Sequence, residues 1–570
     1  MVRLRFPALW SIVLTFVILA GCAPSATPAT PSSSSSAPAA PAARQGPKVL
    51  TIGLQRETRS FGNFGGVAND LAPNLAHQLL AFKNNHDVYE AQLATEQISV
   101  EKGTWRLNAD GTMDTTWTLQ PNAKWHDGAP FTADDLLLAF NVYKDKDLPS
   151  TTAGMMASMA SASAPDPHTF AVHWSQTDVK ADQAPGLTPL PAHLLGELYR
   201  TDKASLPSSP YLIGQFVGLG PYRLTNWDQG VQMELARFDD FYKGPAKIDR
   251  IVLRYIPDPT ALVANILSGS VDVVTPPGVD VEAALNLKDR WAGTGNQVIT
   301  QTLNSVNSAF AIQLRPEYAK PQNGLINRNV REALYRGIDR KEMAEVLTHG
   351  LAPLADSWIA PFDALRPQVE ASIPQFPYDP QRAQQLLTEA GWVKGSDGLL
   401  VSQQTGEVFR TSVSGPERTD VQKQQSVIAP SWKALGVDAE IDIIPANLFT
   451  DRSVQATRPT GVLLGRIADT RYYYDKALTT KEISAKENNW SGRNTGGYSN
   501  PTVDSLMDRL GQTIDPQQRV SLTRELVQVA MQDISLMPFF WEVEPTLAVD
   551  SVVIPQDKAA IDYAAEWDKR

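Results

Sequence analysis

Cysteine is nearly absent from this 570-residue chain, with Cys22 the only one. No internal disulfide and no thiolate metal cluster can therefore form within it. Long apolar runs are missing after the first 20 residues, so no later stretch reads as a bilayer-spanning helix. Positive charge is in deficit: 51 Lys and Arg stand against 62 Asp and Glu, a formal net charge of −11. That balance argues against nucleic acid as a partner and offers no attraction to anionic lipid. Hydrolase signatures are missing as well. There is no Gly-x-Ser-x-Gly elbow, no His-Glu-x-x-His and no cysteine placed as a nucleophile, which argues against an enzyme. His173, His193 and His349 are isolated from one another, so neither a metal nor a cofactor is expected.

The first residues carry the clearest signal. Arg3 and Arg5 precede an apolar run from Ala8 to Ala20, and small residues precede Cys22, the order of a secretory signal peptide over 1–21. Leu19-Ala20-Gly21-Cys22 resembles the lipobox of bacterial lipoproteins. The resemblance implies that Cys22 is the lipid attachment site and that the chain works outside the cytoplasm, held to the outer face of a membrane or facing a periplasm. Ala23 is not an inner-membrane retention signal of the Asp type. Residues 22–47 are almost wholly Ala, Pro, Ser and Thr, with five serines from Ser32 to Ser36, and cannot bury a core. A flexible tether of that length reaches about 25 to 30 Å.

Beyond Pro47 the composition is that of a globular protein, long enough for two or three domains. Strand and helix patterns alternate, which points to an α/β architecture. Lys48 to Leu54 reads as a buried strand and Asp70 to Phe82 as a helix. Met113, Thr115, Trp117 and Leu119 share one face of a strand. Lys124-Trp125-His126-Asp127-Gly128 is a turn before a helix capped by Thr132 and Asp135. Tyr222–Trp227 and Val231–Phe238 read as a hairpin with Val231, Met233 and Leu235 inward. Later helices start near Asn329, at Asp339, at Asp379-Pro380 and near Gln422, with Gly350, Gly391 and Gly436 ending the last three. Val437 to Ile444 follows as a strand.

Several of these stretches together carry a resemblance. Trp117-Thr118-Leu119 with Lys124 through Asp135 is similar to the signature of the family 5 extracellular solute-binding proteins, the peptide- and nickel-binding subunits of ATP-binding-cassette importers. Gly218 through Leu224, Ser268 through Asp272, Asn329 through Leu334 with Ile338-Asp339-Arg340, and Tyr378-Asp379-Pro380 running to Trp392 agree with it in order. The resemblance implies a two-lobed α/β clamshell, periplasmic-binding-protein-like (type II), with an extra α/β domain inserted into the first lobe. Lobe 1 would take 48–89, 215–303 and 536–570, the insertion 90–214 and lobe 2 304–535. The crossovers would fall near Gln301–Ile312 and Met537–Glu544. It further implies a monomer that captures an oligopeptide or related small solute and delivers it to permease and ATPase subunits on other chains. Two other uses of the chain stay open: a sensor or chaperone-like binder without transport, and an extracellular hydrolase.

The resemblance also suggests ligand contacts. Leu464-Gly465-Arg466-Ile467-Ala468-Asp469 matches the place where peptide binders carry a carboxylate for the α-amino group, so Asp469 is the expected amine anchor. Arg466 stands where a tryptophan is usual and could neutralise it. Tyr472, Tyr473, Tyr474 and Trp490 are candidates to line the cleft, as are Phe61 and Asn63 from the Gly-rich stretch at 61–66 and Asn307 from the first crossover. Trp125-His126-Asp127-Gly128 is expected to be structural, although its His and Asp could suggest metal or catalysis.

Overall fold

The structure is a computed structural model and describes residues 46–58, 61, 71–84, 88–149, 154, 156–184, 186–465, 467–468, 476–555, 558 and 561–570. Cys22, the signal peptide and nearly all of the expected tether lie outside them. Among the described residues no helix is long and apolar enough to cross a membrane.

A nine-stranded mixed sheet runs through the molecule. Its strands are β1 (Val49–Leu54), β2 (Tyr222–Asp228), β3 (Gln232–Arg237), β4 (Arg250–Tyr255), β5 (Val273–Val274), β6 (Gln297–Ile312), β7 (Gly461–Leu463), β8 (Ile467–Ala468) and β9 (Leu536–Ala548). The spatial order is β7-β6-β9-β5-β1-β4-β3-β2, with β8 also on β6. β1 lies parallel to β4 and β5, whereas β6 and β9 are antiparallel. A separate antiparallel sheet of four strands lies wholly within residues 105–174.

Burial separates the halves of the clamshell. Leu50, Ile52 and Leu253 share one core with Met113, Trp117 and Phe131 of the segment expected as an insertion. The second lobe has its own cores, around Val330, Leu334, Leu386 and Trp432 and around Val503, Leu506 and Leu526. Each fully buried leucine contributes roughly 2 kcal/mol. A small cluster of Val306, Ala355, Ala360 and Trp541 belongs to neither.

Local chemistry sets the helices. α1 is Leu71–Ala76, α2 Ala133–Lys144, α3 Arg328–Arg336, α4 Arg340–Thr348, α5 Pro380–Glu389 and α6 Thr419–Leu435. Asp339 caps α4 by accepting from the Lys341 and Glu342 N–H groups, and Asp379 caps α5 by accepting from Arg382 N–H. Each such cap stabilises by about 1 kcal/mol. Two local expectations need correction. α1 stops at Ala76, because the Gly220 N–H takes the Ala76 carbonyl and Ala81–Lys83 pairs as a strand with Tyr89–Ala91. Val231 precedes β3 and is 54% exposed, while Met233 and Leu235 are buried as expected. At the end of α4, Gly350 (φ +72°) is left-handed as expected, and so is His349 (φ +51°) before it.

Candidate functional site

The two long strands β6 and β9 carry the chain between the lobes. Their ladder is regular from Gln297↔Ala548 to Thr302↔Val543 and again from Ala309↔Pro538 to Ala311↔Leu536. Between those stretches it breaks. Leu303, Asn304 and Ser305 face Glu542 alone, Asn307 is an extra residue on β6, and Phe539 is an extra residue on β9. Pro538, which has no N–H for a ladder bond, sits at the break. Bulges of this kind bend a strand and leave backbone groups for other partners.

Those partners come from the second lobe. β8 pairs with Ser305 and Val306 at the irregular stretch. On the other edge of β9, Trp541 N–H donates to the Pro353 carbonyl at 2.8 Å and Ala355 N–H to the Phe539 carbonyl at 3.1 Å. Arg340 locks that added segment. Its buried guanidinium donates to the Ala355 and Phe376 carbonyls, to Tyr335 Oη and to Asp356, at 2.9–3.1 Å. Tyr335 Oη in turn donates to the Pro538 carbonyl at 2.5 Å, and burial pushes its pKa up, keeping it a donor. Ser305 Oγ donates to Glu542 Oε2 at 2.5 Å across the widest part of the break.

The expected ligand contacts are distributed unevenly around this junction. Asn307 is the bulged residue itself, placed by its backbone. Trp490 is half-buried in a turn of the second lobe, left-handed at φ +58° after Asn489 at +52°. Its N–H donates to the Ala485 carbonyl at 2.8 Å and its carbonyl accepts from Ser484 Oγ at 3.0 Å. Phe61 is a core residue, 6% exposed, stacked on Phe216 with centroids 4.3 Å apart and edge-on to Trp227. Asn63, Arg466, Asp469, Tyr472, Tyr473 and Tyr474 lie outside the described residues. Trp541, Arg340 and Ser305 were not singled out from sequence. Trp541 falls within an unbroken apolar strand pattern and Arg340 within a helix start, so neither carried a site signal.

The Trp125–Gly128 turn is a fastener. His126 Nδ1 accepts the Gly218 N–H and its Nε2 meets the Gly220 carbonyl, both at 3.0 Å, so the ring is neutral with its proton on Nε2. Burial holds its pKa down at about 4. Trp125 Nε1–H donates to Asp135 at 3.1 Å, and that carboxylate also accepts from Thr132 and Ala192 N–H. A Cβ on Gly220 would lie 2.4 Å from the Leu75 carbonyl oxygen, which is why glycine is required where this loop meets α1. Among the described residues no group of three His, Cys, Asp or Glu is placed to hold a metal.

Comparison with known proteins follows the same lines. Residues 90–490 match the bacterial extracellular solute-binding proteins, family 5 (middle). The oligopeptide-binding protein AppA of Bacillus subtilis is 22% identical over 349 residues, 60% of this chain. The match thus spans about three fifths of that relative's own length, 60%. Two solved structures share the fold at 19% identity. NikZ from Campylobacter jejuni in complex with Ni(L-His) superposes with a TM-score of 0.69, covering 91% of this chain and 99% of its own. AppA from Bacillus subtilis in complex with a nonapeptide gives 0.66, covering 92% and 99%.

Proposed function

Because the chain belongs to the bacterial extracellular solute-binding proteins of family 5, we propose that it captures an oligopeptide outside the cytoplasm and delivers it to an ATP-binding-cassette importer. The observation that carries this reading is the crossover: β6 and β9 thread both lobes, and their pairing is broken only between Thr302 and Ala309, with a separate core on either side. We read this break as the hinge between the lobes. A solute that touches both lobes stabilises the closed state by its differential affinity for that state.

Peptide is the preferred solute because AppA, a relative over 60% of this chain, is an oligopeptide-binding protein. The boundaries proposed for the lobes are 48–89, 215–303 and 536–570 for the first, 90–214 for its insertion and 304–535 for the second. Asp469 is the proposed partner of the peptide's α-amino group. Its immediate predecessors, Ile467 and Ala468, are bonded to Ser305 and Val306 at the hinge, which supports a place in the cleft. Arg466, Tyr472, Tyr473, Trp490 and Asn307 complete the proposed contacts. Cys22 is the proposed lipid attachment site, which holds a monomeric receptor beside its permease.

Mass spectrometry of what co-purifies with protein lacking residues 1–47, followed by calorimetry with di- to pentapeptides, tests the reading. Bound peptide released intact supports it. Steady peptide turnover by the purified protein would sink it.

A further inference from the structure

Trp541 differs from other buried tryptophans in what its indole N–H does. Those of Trp125, Trp174, Trp432 and Trp567 donate to Asp135, to Thr115 Oγ1 and to the Leu334 and Lys558 carbonyls at 2.8–3.1 Å. Trp541 Nε1–H is buried and has no acceptor. Its ring is fully buried and packs with Val306, Ala355 and Ala360 and with half-buried Phe362. An orphaned donor in such a box costs free energy that a phenylalanine of the same shape would not incur.

The position of this donor matters as much as its lack of a partner. Trp541 pairs with Val306 inside the break of the crossover ladder, next to the Asn307 bulge and outside the cores of both lobes. A change of pairing at that break would act directly on Trp541 and Val306.

We propose that the Trp541 indole N–H is a solute-binding donor at the hinge, taking a neutral carbonyl oxygen of a peptide-like ligand as the lobes close. The inference rests on the solute-binding reading above and adds a binding residue to it. The indole can only donate, so it does not serve an ammonium group. Its packing neighbours Val306, Ala355 and Ala360 are apolar, which favours a neutral main-chain carbonyl over a carboxylate as the acceptor. Made in a dry layer, that hydrogen bond is strong, and it ties occupancy to the strand that moves.

The variant Trp541→Phe keeps the ring and removes the donor. Without ligand, its unfolding midpoint in urea should equal or exceed that of the unaltered protein; a clear drop shows that the N–H serves the fold and overturns the proposal. With trialanine and pentaalanine as probes in calorimetry, the variant should bind about tenfold more weakly. Equal affinity overturns the proposal while leaving the solute-binding reading intact. If the unaltered protein binds neither probe, the peptide reading fails, and the comparison is made on the solute that co-purifies in native mass spectrometry. Loss of that solute from Trp541→Phe supports the donor role; equal retention, or no co-purifying solute at all, overturns it.

Discussion

The Trp125–Gly128 turn and the Thr302–Ala309 crossover both join segments far apart in sequence, yet they are built in opposite ways. In the turn, His126 is bonded through both ring nitrogens, Asp135 accepts from three N–H groups, and Gly220 leaves no room for a side chain. In the crossover, the ladder skips residues on both strands, a small cluster replaces a core, and an indole donor has no partner. A fully satisfied network has one low-energy arrangement, whereas a broken ladder has several of similar energy. On the function proposed above, the difference separates a fixed joint from the hinge.

The contrast can be broken by experiment, the largest effect coming from the rigid side. Gly220→Ala pushes a methyl against the α1 backbone and disturbs the Gly220 to Ala76 hydrogen bond, so it should destabilise by about 4 kcal/mol in urea titrations. A change below about 1 kcal/mol would mean that the fastener yields. At the proposed amine anchor, Asp469→Asn should leave stability nearly untouched yet weaken peptide binding by about 3 kcal/mol in calorimetry, through loss of its charge pair with the α-amino group. Unchanged affinity removes the amine anchor.

Acid offers a third probe. Burial holds His77 neutral, with its pKa lowered to about 3, and its Nε2 meets the Pro189 carbonyl. The unfolded chain takes up a proton at about 6.5. The stability from neutral His77 is complete above that pH and is lost as pH falls toward the folded value. At pH 5 the loss from His77 should be about 2 kcal/mol, and His77→Leu should remove that part of the profile while the part due to His126, with its pKa lowered to about 4, remains. A profile from pH 7 to pH 5 that is the same in both proteins would contradict the assignment. The smallest effect is expected from Ser305→Ala, which removes one hydrogen bond to Glu542 across the break. It should cost about 1 kcal/mol, read as a shift in peptide affinity that exceeds any shift in the urea midpoint.

Local signals were legible where a short pattern carries its own physics. Asp379-Pro380, Asp339 and Thr132 with Asp135 announce helix starts because capping needs only residues within one turn. The ends were harder. The extent of α1 depends on Gly220, which arrives from more than 140 positions away in the chain and takes the carbonyl that would have continued the helix. Val231 fits a strand alternation, yet it lies on the turn side of β3 and faces water. Phe61 sits in a Gly-rich stretch that suggests ligand contact, while Phe216 and Trp227, over 150 residues later, claim its ring.

What the sequence determined by itself was the family pattern, the alternation of strands and helices and the capped helix starts, all of them encoded by neighbours within a few turns. The tertiary structure alone decided that His126 is a fastener, that β6 and β9 lose register between Thr302 and Ala309, and that Trp541 is left without an acceptor. Hydrogen-bond satisfaction and strand register are properties of pairs. They exist only once residues hundreds of positions apart are brought side by side.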